Sequence, residues 1–326
     1  MRQEILKILG GHSASRVLMV ANELGIFDLL SDRSMSAGDL ANEIGTNPKA
    51  TERLCNALAA MSLLTKGRNR FRLPAKLKPL LTKNGKASLT HTISLSHEFW
   101  RFWTDLGAFI RSGRPLTEML TLIQKDPAML EQFIHAMRDR GVFAARYINQ
   151  VLDFQTVRRV LDLGCGPGIY ALEWARRYRN LKAVLYDIES VLPITQQYIQ
   201  AYRLEDRVRV MAGDFVKDPI GEGYDLVLLA NALQMHGAQE CQALIGKVYR
   251  AMVKNGRIII HGFMMDPSGT HPKESALFSL TIGLVTPSGN AHSISDTVRW
   301  LRKAGFKKIS RFSIDVVPPI VITAIR

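Results

Sequence analysis

The sequence predicts an α/β protein in which an N-terminal α-helical domain precedes a doubly wound, mainly parallel seven-stranded sheet. Two patterns indicate this fold class: helical stretches fill the first part of the chain, and β-branched runs alternate with helices from residue 159 onward. Alternation of the second kind is typical of βαβ units, which place helices on both faces of a parallel sheet. The 326 residues, 47% of them hydrophobic, suffice for roughly two packed domains.

The N-terminal segment has the layout of a winged helix, which we assign to residues 1–87. Three helical patterns lie between about residues 12 and 65, and the first of them predicts one helix over residues 12–30. The second follows Ser36, a suitable N-cap, and ends at Gly45, and Pro48 suits the first turn of the third. Basic and apolar residues then alternate around a turn at 67–69, which predicts a small hairpin or wing.

Two further segments complete the chain. Residues 88–152 are predicted to form a helical connector, in which Asp126 and Pro127 open a long helix. Residues 153–326 carry the sheet domain. Its strands are predicted in the segments RRVLDLG, KAVLYD, RVRVMAGD, YDLVLLAN, GRIIIHGF, KKISRF and PIVITAI.

Composition argues against several classes of protein. Cys55, Cys165 and Cys241 lie far apart and make no disulfide or metal-ligand spacing, so we expect reduced, structural thiols and no metal. The apolar stretch 276–285 is shorter than the roughly 20 residues that span a membrane, and the first residues lack the apolar core of a signal peptide. A cytoplasmic protein without a membrane span is therefore expected.

The chain carries a formal net charge of +14, which favours anionic partners. The densest basic segment lies between residues 66 and 86 and contains no acidic residue. Its members are Lys66, Arg68, Arg70, Arg72, Lys76, Lys78, Lys83 and Lys86. The segment is either a solvated basic face or, together with the winged helix, a nucleic-acid contact.

The strongest local signal is a buried-type strand that runs into a glycine-rich turn and then a helix, over residues 160–168. Glycines permit a tight turn and close backbone approach to a ligand, and the helix N-terminus presents free N–H groups. Asp187 ends the next strand, where a carboxylate can accept hydrogen bonds from both hydroxyls of a ribose. A third strand ends at Asp214 and Phe215, which suit an adenine. Three strand ends therefore predict one nucleoside site.

The motifs LDLGCGPG, YDIES, GDF, YDLVLLANAL and GRIII resemble, in order and spacing, those of class I S-adenosylmethionine-dependent methyltransferases. Nearly the whole chain resembles the plant-type and bacterial small-molecule O-methyltransferases, whose N-terminal winged helix is a dimerisation domain. The resemblance implies S-adenosylmethionine (SAM) as cofactor, a small-molecule acceptor and a homodimer.

Carried over by position, the resemblance assigns roles to individual residues. The implied cofactor residues are Asp162, Gly164, Gly166, Gly168, Asp187, Asp214 and Phe215. The resemblance also places Phe133 and Met137 in the acceptor site, although their i, i+4 spacing equally suits ordinary helix packing. Ile282, Thr286 and His292 are the other expected acceptor-site residues. The apolar segment 276–289 suits a flat aromatic or polycyclic acceptor, and the positive charge favours one that carries carboxylates.

This sequence departs from the family pattern at the position of the catalytic base. O-methylating members place a histidine, oriented by two glutamates, where this chain has Gln234, and the glutamate positions fall near Gly262 and on Ala291. His236 and His292 are the candidates for a relocated base. Gln234 and His236 are therefore the predicted catalytic positions, with oxygen, carbon, nitrogen or sulfur as the methylated atom.

Three other functions stay open from the sequence. The chain could be a family member diverted to non-methylating chemistry, or a winged-helix DNA-binding regulator that senses SAM. Against the regulator, the third helical pattern, which would be the recognition helix, is rich in apolar residues, with Lys49 and Arg53 as its obvious phosphate contacts. An RNA methyltransferase is disfavoured because no aromatic stacking platform accompanies the basic residues.

Overall fold

A computed structural model describes all residues from Met1 to Arg326. The chain divides into two compact units, Met1–Arg101 and Phe102–Arg326. The division at residues 87 and 152 stays a prediction. The helices are α1 (Arg2–Glu23), α2 (Ile26–Asp32), α3 (Ala37–Ile44), α4 (Pro48–Ala60), α5 (Lys78–Leu81), α6 (Thr90–Thr104), α7 (Leu106–Ser112), α8 (Met119–Lys125), α9 (Pro127–Val151), α10 (Ile169–Arg177), α11 (Leu192–Tyr202), α12 (Ala238–Ala251), α13 (Lys273–Val285) and α14 (Ile294–Ala304). The strands are β1 (Met35–Ser36), β2 (Thr65–Gly67), β3 (Arg70–Arg72), β4 (Arg159–Leu163), β5 (Lys182–Asp187), β6 (Val208–Ala212), β7 (Tyr224–Ala230), β8 (Met252–Gly262), β9 (Lys307–Ser313) and β10 (Ile320–Ile325).

The first unit contains the predicted winged helix. The Ser36 side chain accepts from the Asp39 amide, and Gly45 ends α3 in the left-handed conformation. Strands β1, β3 and β2 form a three-stranded antiparallel sheet, in that order. Arg68 and Asn69 make the hairpin turn with φ values of 47° and 61°, the backbone that matches the twist of a two-residue hairpin.

The predicted single helix over residues 12–30 is wrong, because two helices cover this stretch. α1 ends at Glu23, and Gly25 adopts a φ of 67° before α2 begins at Ile26. Glycine takes this left-handed conformation at little steric cost, so it separates two helices within one continuous apolar pattern. The start of α1, including Ile5 and Ile8, is solvent-exposed.

The second unit contains the predicted seven-stranded sheet, with strand order β6-β5-β4-β7-β8-β10-β9. Strands β4 to β8 pair in parallel, and β10 pairs antiparallel with both neighbours, so the sheet is mainly parallel as expected. The chain builds outward from β4 to β6 and then returns to place β7 on the other side of β4. This reversal is the point where open α/β sheets bind ligands.

A buried carboxylate ties together three helices around the sheet. Glu173 on α10 accepts hydrogen bonds from Arg146 on α9, from Arg176 and from Tyr202 on α11, at 2.7–3.3 Å. Its side chain is only 4% exposed, so these donors replace the water that a carboxylate needs. The network fixes α9, which carries predicted acceptor-site residues, against the helix that follows the glycine-rich turn. In the whole structure, no helix has the length and apolar composition to cross a membrane.

Candidate active site

The glycine-rich turn connects β4 to α10 in a backbone conformation that requires glycine. Gly164, Gly166 and Gly168 have φ values of 67°, 52° and 68°. A Cβ on Gly164 would lie 3.2 Å from the Phe215 ring, and one on Gly168 would collide with Leu185. The turn therefore stays bare of side chains and leaves backbone groups accessible to a ligand.

Asp187 lies beside this turn at the end of β5, as its position in the sequence predicts. Its carboxylate accepts hydrogen bonds from the amides of Gly166 and Ile188, both at 2.8 Å. Burial raises the pKa of Asp187, and the two amide donors oppose that rise. The carboxylate thus holds the turn in place and retains lone pairs for a further donor.

Asp162 is a second buried carboxyl group at the same edge of the sheet. It is 1% exposed, and its Oδ2 atom has no hydrogen-bond partner. Burial, together with the nearby charge of Asp187, raises the pKa of Asp162 well above its ordinary value. The carboxyl groups of Asp162, which is buried, and Asp187, which is half-buried, together favour a cationic ligand at this edge of the sheet.

The loop after β6 brings Asp214 and Phe215 to the same place. The Asp214 carboxylate is half-exposed, accepts from the Val216 amide and pairs with Lys217 at 3.0 Å. Lys247 on α12 fixes this loop by donating to the backbone oxygens of Phe215, Val216 and Asp218 at 2.8–3.0 Å. The Phe215 ring consequently lies over the glycine-rich turn.

Gln234 lies where the strand end of β7 meets α13 and the end of β8. It belongs to a short 3-10 turn, Leu233–Met235, and its backbone oxygen accepts from the Asn290 amide at 2.9 Å. Its Oε1 atom lies 3.2 Å from the position that a Cβ on Gly262 would take. The amide of Gln234 therefore fills space at a position where the resemblance places a glutamate.

The two candidate histidine bases face other groups. His236 follows the 3-10 turn in extended backbone, packs edge-on against Phe215 at 5.4 Å, and has a pKa lowered by burial. His292 donates from Nε2 to the His236 backbone oxygen at 2.8 Å and packs against Trp300. The Glu240 oxygen is 3.9 Å from His236 Nδ1, too far for a hydrogen bond, and the Nε2 atom of His292 is already bonded to a backbone oxygen.

The other predicted acceptor-site residues lie on two helices. Phe133 and Met137 are half-buried on α9, the helix that also places Ile134 next to Gly166. Ile282 and Thr286 are buried at the end of α13, where the Thr286 hydroxyl donates to the Ile282 backbone oxygen at 2.8 Å. The Thr286 hydroxyl is thus already used within its own helix, and the four acceptor roles stay predictions.

Sequence reasoning missed several residues of this site. Asn231 and Phe263 line a small cavity with Gln234, and Phe263 stacks on Phe278 with ring centres 3.8 Å apart. Lys247 was also missed, because its partners are about 30 residues away and no motif marks them. Asn231 could have been noticed as the residue directly after β7, the same kind of position as Asp187.

His261 is buried on β8 and forms part of a hydrogen-bonded chain beneath the site. Its Nε2 atom donates to the Pro318 backbone oxygen, and its Nδ1 atom accepts from the Tyr170 hydroxyl, both at 2.9 Å. Burial lowers the pKa of His261 to about 4, so the ring is neutral at physiological pH. Its role is to orient Tyr170, next to the glycine-rich turn.

Comparison with known families assigns the chain. An O-methyltransferase domain matches residues 103–307, and an O-methyltransferase dimerisation domain matches residues 6–75. The chain belongs to the O-methyltransferase family. It is a SAM-dependent methyltransferase, as the order of its motifs predicts.

Relatives of this methyltransferase act on different atoms. It is 26% identical to the tetracenomycin polyketide synthesis 8-O-methyl transferase of Streptomyces glaucescens, covering 94% of this chain and 91% of that protein. It is 28% identical to the L-tyrosine C(3)-methyltransferase of Streptomyces lavendulae, covering 92% and 85%. The crystal structure of human N-acetylserotonin methyltransferase in complex with SAM superposes with a TM-score of 0.90 at 25% identity, covering 100% of this chain and 97% of that one.

The site of this methyltransferase fits SAM chemically. The cofactor carries a sulfonium and an ammonium group, and the neighbouring carboxyl groups of Asp162 and Asp187 offer oxygens for positive charge. The bare glycine-rich turn provides room for a ligand to contact the backbone, and the Phe215 ring provides a surface for a base. We expect these residues to hold the cofactor.

The basic segment 66–86 is partly neutralised within the first unit. Lys66, Arg70 and Lys78 lie 3.0–3.7 Å from the carboxylates of Glu52, Asp39 and Asp32. In α4, which would be the recognition helix of a DNA-binding protein, the apolar Cys55 and Leu58 are buried. These pairings favour a solvated basic face over a phosphate-binding one.

Proposed function

We propose that this methyltransferase methylates a flat aromatic or polycyclic small molecule without a histidine general base. The observation that carries this proposal is the environment of Gln234, whose amide lies against Gly262, while the carboxylate of Glu240 stays 3.9 Å from the His236 imidazole. An amide does not accept a proton at neutral pH, so the acceptor atom has to be nucleophilic by itself. Acidic phenols, enols, amines and electron-rich ring carbons meet this condition.

Binding and orientation then supply the rate enhancement. Asp162, Asp187 and the glycine-rich turn hold SAM, and the loop fixed by Lys247 confines the nucleoside end. SAM, when bound, supplies an electrophilic methyl group and leaves as S-adenosylhomocysteine. Alignment of two reactants in this way replaces a bimolecular encounter, which is among the largest contributions available without acid–base chemistry.

The relatives methylate oxygen, carbon or nitrogen, according to their names. This variety supports a site that selects its acceptor by shape more than by the type of the methylated atom. Their names describe O-methylation of a polyketide, C-methylation of tyrosine and N,N-dimethylation. We propose an anionic acceptor because the chain carries a net charge of +14. The dimerisation domain supports a homodimer, and a cytoplasmic location stays a prediction.

The test is a transfer assay with SAM that carries a trideuterated methyl group. Hydroxynaphthoates, aminobenzoates and neutral naphthols are incubated with enzyme and analysed by mass spectrometry. We expect labelled product from at least one anionic aromatic, with one S-adenosylhomocysteine formed for each product. Consumption of SAM without a methylated product would indicate diverted chemistry and would contradict the proposal. The surface variant Asp206→Asn serves as the matched active control.

A further inference from the structure

A small cavity of about 20 Å³ lies at the end of β7, next to Gln234. Asn231, Gln234, Gly262 and Phe263 line it. A volume of this size accommodates about one water molecule, and hence a single oxygen substituent rather than a ring. The cavity adjoins the cofactor side, because Ala232 lies 3.4 Å from the position of a Cβ on Gly164.

Two side-chain amides converge on this cavity. Relative to the position that a Cβ on Gly262 would take, the Gln234 Oε1 atom lies at 3.2 Å and the Asn231 Oδ1 atom at 3.8 Å. Asn231 Oδ1 is buried and has no hydrogen-bond partner, which is costly for a polar atom. Because Gly262 has no side chain, both amides reach the same small volume.

The backbone of Asn231 is also held in an uncommon conformation. Its φ is 55°, and its N–H donates to the His261 backbone oxygen at 2.7 Å. Asparagine tolerates left-handed backbone better than most residues, and such conformations cluster at ligand-binding positions. The strand end thus directs this amide toward the cavity.

An aromatic surface lies beside the amides. Phe263 directly follows Gly262, lines the same cavity, and stacks on Phe278 of α13 with an interplanar angle of 11°. Both rings are only half-buried. A flat ring can therefore pack near the stack while one of its substituents enters the cavity.

We propose that the amides of Asn231 and Gln234 form a hydrogen-bonding clamp for one hydroxyl or carbonyl oxygen of the acceptor, and that this clamp determines specificity. This inference rests on the proposed function and adds to it the functional group that the site recognises. Each amide offers a donor and an acceptor, so the clamp can bind an oxygen in the neutral or the ionised form. The clamp orients the acceptor and removes no proton.

The test measures binding, so that it does not depend on turnover. Naphthoates with and without a ring hydroxyl are titrated into the enzyme in saturating S-adenosylhomocysteine, and quenching of probe fluorescence reports the dissociation constant. For at least one hydroxyl isomer, the wild type is expected to bind about tenfold more tightly than it binds the parent naphthoate.

Two variants remove the amides while keeping the local structure. Gln234→Met preserves volume, and Asn231→Gly preserves the left-handed backbone that glycine adopts freely. Each is expected to lose most of the preference for the hydroxyl probe, with affinity for the parent naphthoate and for SAM unchanged. Gln239→Ala, an exposed change on the neighbouring α12, is the matched control and should keep the full preference.

Two outcomes would overturn the clamp. One is a hydroxyl preference that survives in both variants, and the other is a wild type that binds no hydroxynaphthoate better than its parent. In either case, labelled methyl transfer to some aromatic acceptor would leave the proposed function standing. Failure of that transfer as well would remove both.

Discussion

At the scale of single residues, the buried His261 is expected to make the free energy of unfolding depend on pH. Its folded-state pKa of about 4 lies below the ordinary histidine value of 6.5, so the unfolded chain takes up the proton first as pH falls. Stability is therefore complete above pH 6.5 and is lost as pH falls toward 4. The loss from this one group amounts to about 3 kcal/mol.

Urea unfolding at pH 7, 5.5 and 4.5 measures this effect. We expect the free energy of unfolding of the wild type to fall over that range more steeply than that of His261→Gln, which has no proton to take up. The exposed His271→Gln serves as the control and should follow the wild type. Parallel curves for the wild type and His261→Gln would contradict the assignment of a neutral, buried imidazole.

Asp162 is expected to lower the stability of the fold while it supports SAM binding. Its folded pKa is raised, so the unfolded chain ionises first as pH rises above about 4, and burial of this group costs stability at neutral pH. We expect Asp162→Asn to raise the melting temperature by about 2–4 °C at pH 7, since that corresponds to about 1 kcal/mol at this size. The same change should weaken SAM binding at least about tenfold, because an amide cannot ionise, as the buried carboxyl group can, when the cationic cofactor binds.

Thermal unfolding and calorimetric titration of Asp162→Asn test both effects, with the exposed Asp206→Asn as control. A variant that is both less stable and unimpaired in SAM binding would show that Asp162 is an ordinary structural residue.

Residues that belong to sequence motifs could be predicted, whereas residues that matter because they line a cavity could not. Asp187 and Phe215 were found because strand ends meet at one edge of a parallel sheet. Asn231 and Phe263 were missed because their importance depends on the empty space above Gly262, and a missing side chain leaves no periodic signal.

At the scale of elements, the loop between β6 and β7 depends on α12. Lys247 donates to three backbone oxygens of that loop, in addition to the hydrogen bonds that Asp214 makes within it. We expect Lys247→Met to raise the dissociation constant for SAM by about tenfold, because three charge-assisted hydrogen bonds are lost.

Calorimetry with Lys247→Met and the exposed Lys254→Met makes the comparison. An unchanged SAM affinity in Lys247→Met would mean that the loop keeps its conformation without the lysine, or that it does not contact the cofactor.

The sequence predicted helix ends well where capping residues mark them and poorly elsewhere. Ser36, Gly45 and Asp126 begin or end helices as expected. The first helices were misjudged because the apolar pattern continues through Gly25, and only the backbone shows that this glycine adopts the left-handed conformation.

At the scale of the whole molecule, the net charge of +14 predicts long-range attraction of anionic acceptors. Because salt screens such attraction, we expect the KM for an anionic naphthoate acceptor to rise several-fold between low and high ionic strength. The KM for a neutral naphthol of the same shape should change little. Equal salt dependence of the two would indicate that the charge serves only solubility.

The order of motifs along the chain made the sheet topology and the family predictable, since each strand end carries its own signature. The acceptor was not predictable to the same degree, because its proposed site draws on α9, α13 and the end of β8, whose residues are up to about 150 positions apart. Their packing decides the shape of the site, and no single motif records it.

The most direct test of the proposed cofactor site is calorimetric titration of SAM into the wild type, Asp187→Ala and the surface variant Asp206→Ala. We expect the wild type and Asp206→Ala to bind SAM with equal affinity. We expect Asp187→Ala to bind SAM at least about tenfold more weakly, since a carboxylate acceptor is lost. Equal affinities for all three proteins would contradict the placement of the cofactor at the ends of β4, β5 and β6.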